Sequence, residues 1–336
     1  MEQAAPGLSA GRWKLAEFRV IIWAGLAASI SACAPIRGDH LPTLSEIDVP
    51  DRYATAPAGS DAERSCGTGS WPRLFDDAIL VNLSERAEDP SVRAEIASTY
   101  IALRLAQARK SDAQARIDNL ADLQQLASFR ARASLVTERD PLQIDAERAR
   151  IAADLPLQDS AVATGAAHIA ALIGATPDEV LAHLALPAAI PTGPANIRIG
   201  QPSELRDRRD DLRAAKGRLR TASWPLGPSP AAVTAYRRAF LKAQADVETA
   251  VAAFEGANAH EQGLFDALAK SEAVAALARR QYREGLSDYA ALSGTEFALM
   301  SIRGDLSDAR ATRANALIRL CDALGRAEPM GAGDGD

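Results

Sequence analysis

The sequence predicts an all-α fold of two long antiparallel helical hairpins from an internal duplication, with a Pro-rich connector and little or no β structure. Three observations carry this. Apolar residues recur at three- and four-residue steps through long alanine-rich stretches, the periodicity of an amphipathic helix. Glycines followed by prolines punctuate those stretches, at Gly174 with Pro177 and at Gly325 with Pro329, as helix C-termini require. The pattern of the first half also returns at an offset of 151 positions, which superposes Gly174 on Gly325, Ser134-Leu135 on Gly285-Leu286, Ile151 on Ile302 and Ile96 on Val247. Two copies are fewer than a solenoid needs, so they read as a duplicated hairpin, with chance agreement between alanine-rich helices as the competing explanation.

Composition narrows the function classes. With 336 residues, 47% apolar and 24% charged, the chain has material for a sizeable core in one or two domains. The net charge is -6, and no Lys/Arg block stands beside aromatic residues, so no nucleic-acid partner is expected. An aromatic content of 5% suits close-packed alanine helices better than sheets.

Residues 1–33 read as a lipoprotein signal peptide. Arg12, Lys14 and Arg19 precede an apolar run, Val20 to Ile30, that is too short for a span of about 20 helical residues. The run closes on Ile30-Ser31-Ala32-Cys33, which resembles a bacterial lipobox; the competing readings are a plain signal peptide and an uncleaved anchor. Acylation at Cys33, palmitate among the acyl groups, would hold the protein on a membrane without a spanning helix. Ala34 after the cysteine points to the outer membrane by resemblance to other lipoproteins.

Residues 34–70, rich in Pro, Gly, Ser and Asp, read as an extended tether. The first helical repeat occupies 71–183. Within it, Phe75 to Ala87 is helical, Asp89-Pro90 interrupts, a long helix runs from Val92 to about Ala133, and a return helix runs from Pro141 to Ile173. Residues 184–202 form the connector, whose prolines bar it from a central sheet. The second repeat spans 203–327, and 328–336 reads as a disordered tail. Export would place Cys66 and Cys321 in an oxidising compartment, where a disulfide and two inert thiols both remain open.

The stretch "QYREGLSDYAAL" interrupts helix at Gly285. Glycine there tolerates a left-handed backbone, and Ser287 or Asp288 can cap the next helix, so the bend is a hairpin tip. In the first copy Ser134 stands in the glycine position, Thr137 is the expected cap and Pro141 starts the return helix.

These residues resemble TolC-type outer-membrane efflux factors, in particular the NodT-like lipoprotein class. "VPDRY" is similar to that family's leader, "WPRLFDDAILVNLSERA" to its opening helix, "GQPSELRDRRDDLRAAKGRLR" to its second-repeat signature, and "QYREGLSDYAAL" to its second tip. The resemblance implies a homotrimeric helical tunnel that docks a periplasmic adaptor (membrane fusion protein) serving an inner-membrane pump. The chain departs from the family where barrel strands belong. Each spanning strand needs about 9 to 11 residues, yet "SVRA" passes directly into "EIASTYIALRL", and only "RTASWPLGPSP" stands between the later helices. Neither site can hold a strand pair, so the chain is expected not to cross the membrane alone.

By that resemblance the adaptor-docking tips are Ser134, Leu135, Val136, Thr137 and Asp140 together with Gly285, Leu286, Ser287, Asp288 and Tyr289. Asp305 and Asp308, three apart on a return helix, are candidates for a tunnel entrance, with a solvated acidic face as the bland alternative. His40, His168, His183 and His260 lack metal spacing, no catalytic constellation is present, and neither cofactor nor enzyme activity is expected. The expected function is that of a passive tunnel segment in a tripartite export system; the alternative is a barrel-less, non-conducting interaction or structural protein of the periplasm.

Overall fold

The structure is a computed structural model, and it describes residues 50–55, 64–66, 71–186, 188–221 and 229–325. The signal peptide, Cys33, most of the expected tether and the C-terminal tail lie outside them. After a 3₁₀ turn at Trp71–Phe75 come α1 (Ala78–Glu85), α2 (Pro90–Arg132), α3 (Arg139–Ile173) and α4 (Pro177–His183). Beyond the connector and a 3₁₀ turn at Pro202–Glu204 follow α5 (Leu205–Arg208), α6 (Asp210–Thr221), α7 (Pro230–Arg283) and α8 (Tyr289–Ala323). The fold is all-α as expected: no strand occurs among the described residues, only an isolated parallel bridge between Ser65 and Arg198.

Local chemistry sets the helix starts. The Asp89 carboxylate accepts from the Ser91 amide ahead of a Pro90 start, Thr176 and Glu179 form a reciprocal capping box at α4, and Ser229 caps α7 in front of Pro230. Each satisfies amides that the first turn leaves without partners. The expected helix at Phe75 begins later, at Ala78. Asp76 adopts φ 51, breaking the chain, and Asp77 then caps α1 through the amides of Ile79 and Leu80. Helix α3 begins at Arg139 after Glu138, which makes no side-chain cap bond; the expected Thr137 cap is replaced by a backbone bond from the Asp140 amide to the Thr137 carbonyl.

Helix α2 packs on α3, α7 on α8, and α2 on α8, so the last pair forms the seam between the hairpins. Helices α2 and α7 end at Arg132 and Arg283, and Gly174 and Gly325 close the return helices with φ 67 and 72, all consistent with the sequence offset. Helix α7, at 54 residues, is about 80 Å long. Along it the buried positions stop at Phe254 and resume at Ala275. Two apolar cores therefore flank a polar waist, where Arg109 pairs with Asp308, Lys110 with Asp159 and Arg303 with Glu272.

The opposite end gathers the connector and the N-terminal residues. Gly193 has φ 70, and a Cβ there would lie 2.5 Å from Leu317 Cδ2, so a larger residue would strain the backbone and displace that leucine from its place against the connector. The Arg313 guanidinium holds it by donating to the Gly193 carbonyl at 2.9 Å. Described parts of the expected tether are docked rather than free. Tyr53 is buried, the Thr55 amide donates to Glu248 at 2.8 Å, and Cys66 is joined to Cys321 by a disulfide with Cα atoms 5.0 Å apart. That settles the pairing left open by the sequence.

Candidate docking site at the hairpin tips

Both tips close by the same backbone device. In the first, the Ser134 amide donates to the Ala131 carbonyl and the Leu135 amide to Arg130, each at 2.9 Å; in the second, Gly285 donates to Tyr282 at 3.1 Å and Leu286 to Gln281 at 2.8 Å. This pair of bonds is the Schellman closure, and it requires a left-handed residue after the helix. Gly285 supplies it at φ 75, and Ser134 adopts it at φ 57, a conformation that costs a non-glycine residue about 1–2 kcal/mol. Asp288, not Ser287, caps α8, accepting from the Ala291 amide at 2.9 Å.

The fold brings the two tips side by side. Leu135, Val136 and Asp140 from the first and Gly285, Leu286, Ser287 and Asp288 from the second line one open groove of about 610 Å³. Leu135 and Leu286, at corresponding positions, are 73% and 74% exposed. Ser134 and Thr137 are also exposed. Tyr289 differs from its expected role as a contact: it is 3% exposed, and its hydroxyl donates to Glu147 at 2.7 Å, so its side chain supports the tip from within.

Sequence reasoning missed the residues that lock the tips together. Arg130 crosses from α2 to the C-terminus of α7, donating to the carbonyls of Tyr282 at 2.9 Å and Arg283 at 2.6 Å. Those carbonyls lie in the last turn, where no residue four positions on continues the helix, and beside the Gly285 amide on Tyr282 a cation there also meets the negative end of the helix dipole. Deeper in, Tyr282 and Tyr289 meet edge to face with ring centroids 6.1 Å apart. A buried polar cluster lies beyond them: Arg116 bonds Glu147 at 2.9 Å and Glu296 at 3.0 Å, and Arg279 also bonds Glu296. Burial disfavours ionised Glu147, but hydrogen bonds from Tyr289, Arg116 and Ser293 outweigh it and hold its carboxyl below the usual carboxylate range. Burial, then the bond to Glu147, raises the Tyr289 phenol. No spacing in one strand of sequence announces this cluster, because its members come from four helices.

Asp305 and Asp308 do not reach the tips. They lie 16 and 19 residues into α8 from Tyr289, roughly 24 and 28 Å along it. Asp305 is exposed, while Asp308 accepts from Arg109 at 2.5 Å. Among the described residues no group of His, Cys, Asp or Glu is arranged to hold a metal ion; His168 instead meets Glu95 at 2.8 Å. No single described helix is long and apolar enough to cross a membrane.

The architecture is thus two paired hairpins lying side by side and closed by matching tips. Residues 228–326 match the family described as Outer membrane efflux protein. The fold is similar to that of the outer-membrane channel OprN, at 22% identity and TM-score 0.61 over 76% of this chain and 71% of that one. It is also similar to the outer membrane protein VceC from Vibrio cholerae, at 17% identity and TM-score 0.55 over 77% of each chain. The open state of the Neisseria gonorrhoeae MtrE outer membrane channel matches at 21% identity and TM-score 0.53, over 77% of this chain and 71% of that one. No curated protein matches.

Proposed function

We propose that this protein is a lipid-anchored component of a tripartite efflux system, docking a periplasmic adaptor that serves an inner-membrane pump. In this reading Cys33 carries the acyl anchor on the outer membrane, the helices face the periplasm, and copies assemble as a homotrimer around a passive conduit. One observation carries it: the two tips share a closure, are clamped by Arg130, and present Leu135 and Leu286 to solvent at matching positions. Photo-crosslinkers at those two leucines should capture a co-expressed periplasmic adaptor protein, and Arg130→Ala should reduce the yield. Capture equal to that from crosslinkers on the mid-shaft surface would remove docking from the reading.

A second reading, a non-conducting periplasmic interaction protein, is favoured by the linkers between α1 and α2 and between α6 and α7. They are four and eight residues long, against upwards of about 20 for a strand pair and its turn. Planar bilayer recordings separate the two. Absence of channels from the purified protein supports the second, and stable conductance supports the first.

A further inference from the structure

Between Asp211 and Asp246 the chain carries seven basic residues and no acidic one, in a protein of net charge -6. Sequence alone hides the concentration, because the residues are spread over two helices. The fold gathers them. Arg209, just before α6, bonds Asp246 of α7 at 3.2 Å, and α6 packs on α7, so the pair runs antiparallel and ends at linker 222–229, far from the tips. Lys216, Arg218 and Arg220 lie within about 8 Å of that end of α6, and Arg237 and Arg238 within about 12 Å of the start of α7, distances comparable with a Debye length of roughly 8 Å. Arg220, Arg237 and Arg238 are exposed, and no ion pair with a described residue engages them. The basic residues that do find carboxylates, Arg213 with Asp210, Lys216 with Asp207 and Lys242 with Asp246, reach the acidic groups bounding the cluster.

We propose that this basic end of α6 and α7 rests on an anionic phospholipid surface. Linkers of four and eight residues leave no chain for spanning strands, so contact with lipid at this end falls to side chains at the headgroup level. Arginines there attract anionic headgroups, each raising partition about fivefold. Chain length allows an anchor at Cys33 to share that surface, and to that extent the proposal rests on the function proposed above. Pro50 lies seventeen positions after Cys33, a chain length of up to about 58 Å if extended. Thr55 is fixed to Glu248, eighteen residues from Pro230, or roughly 27 Å along α7. The acyl group and the basic end can therefore meet one membrane surface together.

The test uses full-length protein carrying Cys33→Ser, so that binding reports the basic end rather than the acyl chain. It is titrated with phosphatidylcholine vesicles with and without phosphatidylglycerol, at low and high salt. Expected is binding that needs the anionic lipid, weakens in high salt and falls about thirtyfold in Arg237→Glu/Arg238→Glu. The control Arg139→Glu/Arg150→Glu, equally exposed but near the other end, binds like the parent. Because all four side chains are exposed, unchanged unfolding midpoints confirm folded variants. Equal binding to both vesicle types, or equal loss in the two variants, overturns the proposal. So does tighter capture by soluble polyglutamate than by vesicles, which would make the end a site for acidic polypeptide. Adaptor crosslinking at the tips, measured without vesicles, is a separate readout: its failure with intact lipid binding sinks only the docking reading.

Discussion

Arg130, in the last turn of α2, donates to the Tyr282 carbonyl at 2.9 Å and holds its guanidinium 5.2 Å from the centre of the same residue's ring. One side chain thus closes the second hairpin's outbound helix from the first hairpin. Its removal leaves two helix-terminal carbonyls without their charged donor. Arg130→Ala should lower stability by about 2 kcal/mol, since hydrogen bonds to charged groups contribute about 1.5–3 kcal/mol. Arg130→Lys, with a single point of donation, should recover only part. Urea unfolding monitored by circular dichroism measures both.

The two tips differ in the residue that takes the left-handed position. Ser134→Gly should stabilise the protein by roughly 1 kcal/mol by relieving the strain at φ 57. Gly285→Ala should destabilise by a similar amount. No atom lies within 4 Å of a Cβ built there, so the cost is conformational rather than steric. Opposite signs in thermal unfolding check the pair; a loss from Ser134→Gly would contradict the closure described.

Glu296, 2% exposed, is shared by Arg116 and Arg279. Glu296→Ala should cost about 3–5 kcal/mol, because it strands buried positive charge. A double change, Glu296→Leu with Arg116→Met, should recover much of that loss, which separates the penalty of an unpaired charge from the worth of the pair.

Acid should loosen the same region. The Glu147 carboxyl is held below its ordinary value in the folded protein, so the unfolded chain binds more protons than the folded one in that interval. The stability it contributes is present above the unfolded value near 4.3 and is lost as pH falls through the lower folded value. Glu147→Gln should flatten the decline of unfolding free energy in that acid window. An unchanged pH profile would count against the bonds from Tyr289 and Arg116.

Reduction of the Cys66–Cys321 disulfide releases a loop with a sequence separation of 255. Chain entropy alone assigns about 5 kcal/mol to such a closure, so Cys66→Ser should cost several kcal/mol. Denaturant melts with and without reductant measure it, and the variant should be insensitive to reductant.

The hairpins were legible because their signals are local. Gly174, Gly285 and Gly325 mark left-handed ends, prolines mark starts, and apolar steps mark the faces between them. The shortage of strand residues was legible as plain chain length. What escaped depends on contacts between distant segments. Tyr289 was expected at the surface by its place beside Asp288, yet the turn of α8 directs it inward onto Glu147. Thr137 has the chemistry of a cap, but the return helix starts at Arg139 and puts Glu138, not Thr137, in the capping position, and Asp308 is paired by Arg109, 199 positions earlier. The arginines of α6 and α7 gave no block in the sequence because helical packing, not adjacency, assembles them.

Joining Cys66 to Cys321 also fixes how a pull would travel. Tension entering along the N-terminal segment crosses the sulfurs into the end of α8, whose 35 residues lead in one unbroken rod to the second tip. Helices α1 to α7 lie on the longer arm of the same covalent ring and carry less of the load. A tug between the N-terminal segment and the second tip would therefore stretch a single helix before it unravelled the hairpins.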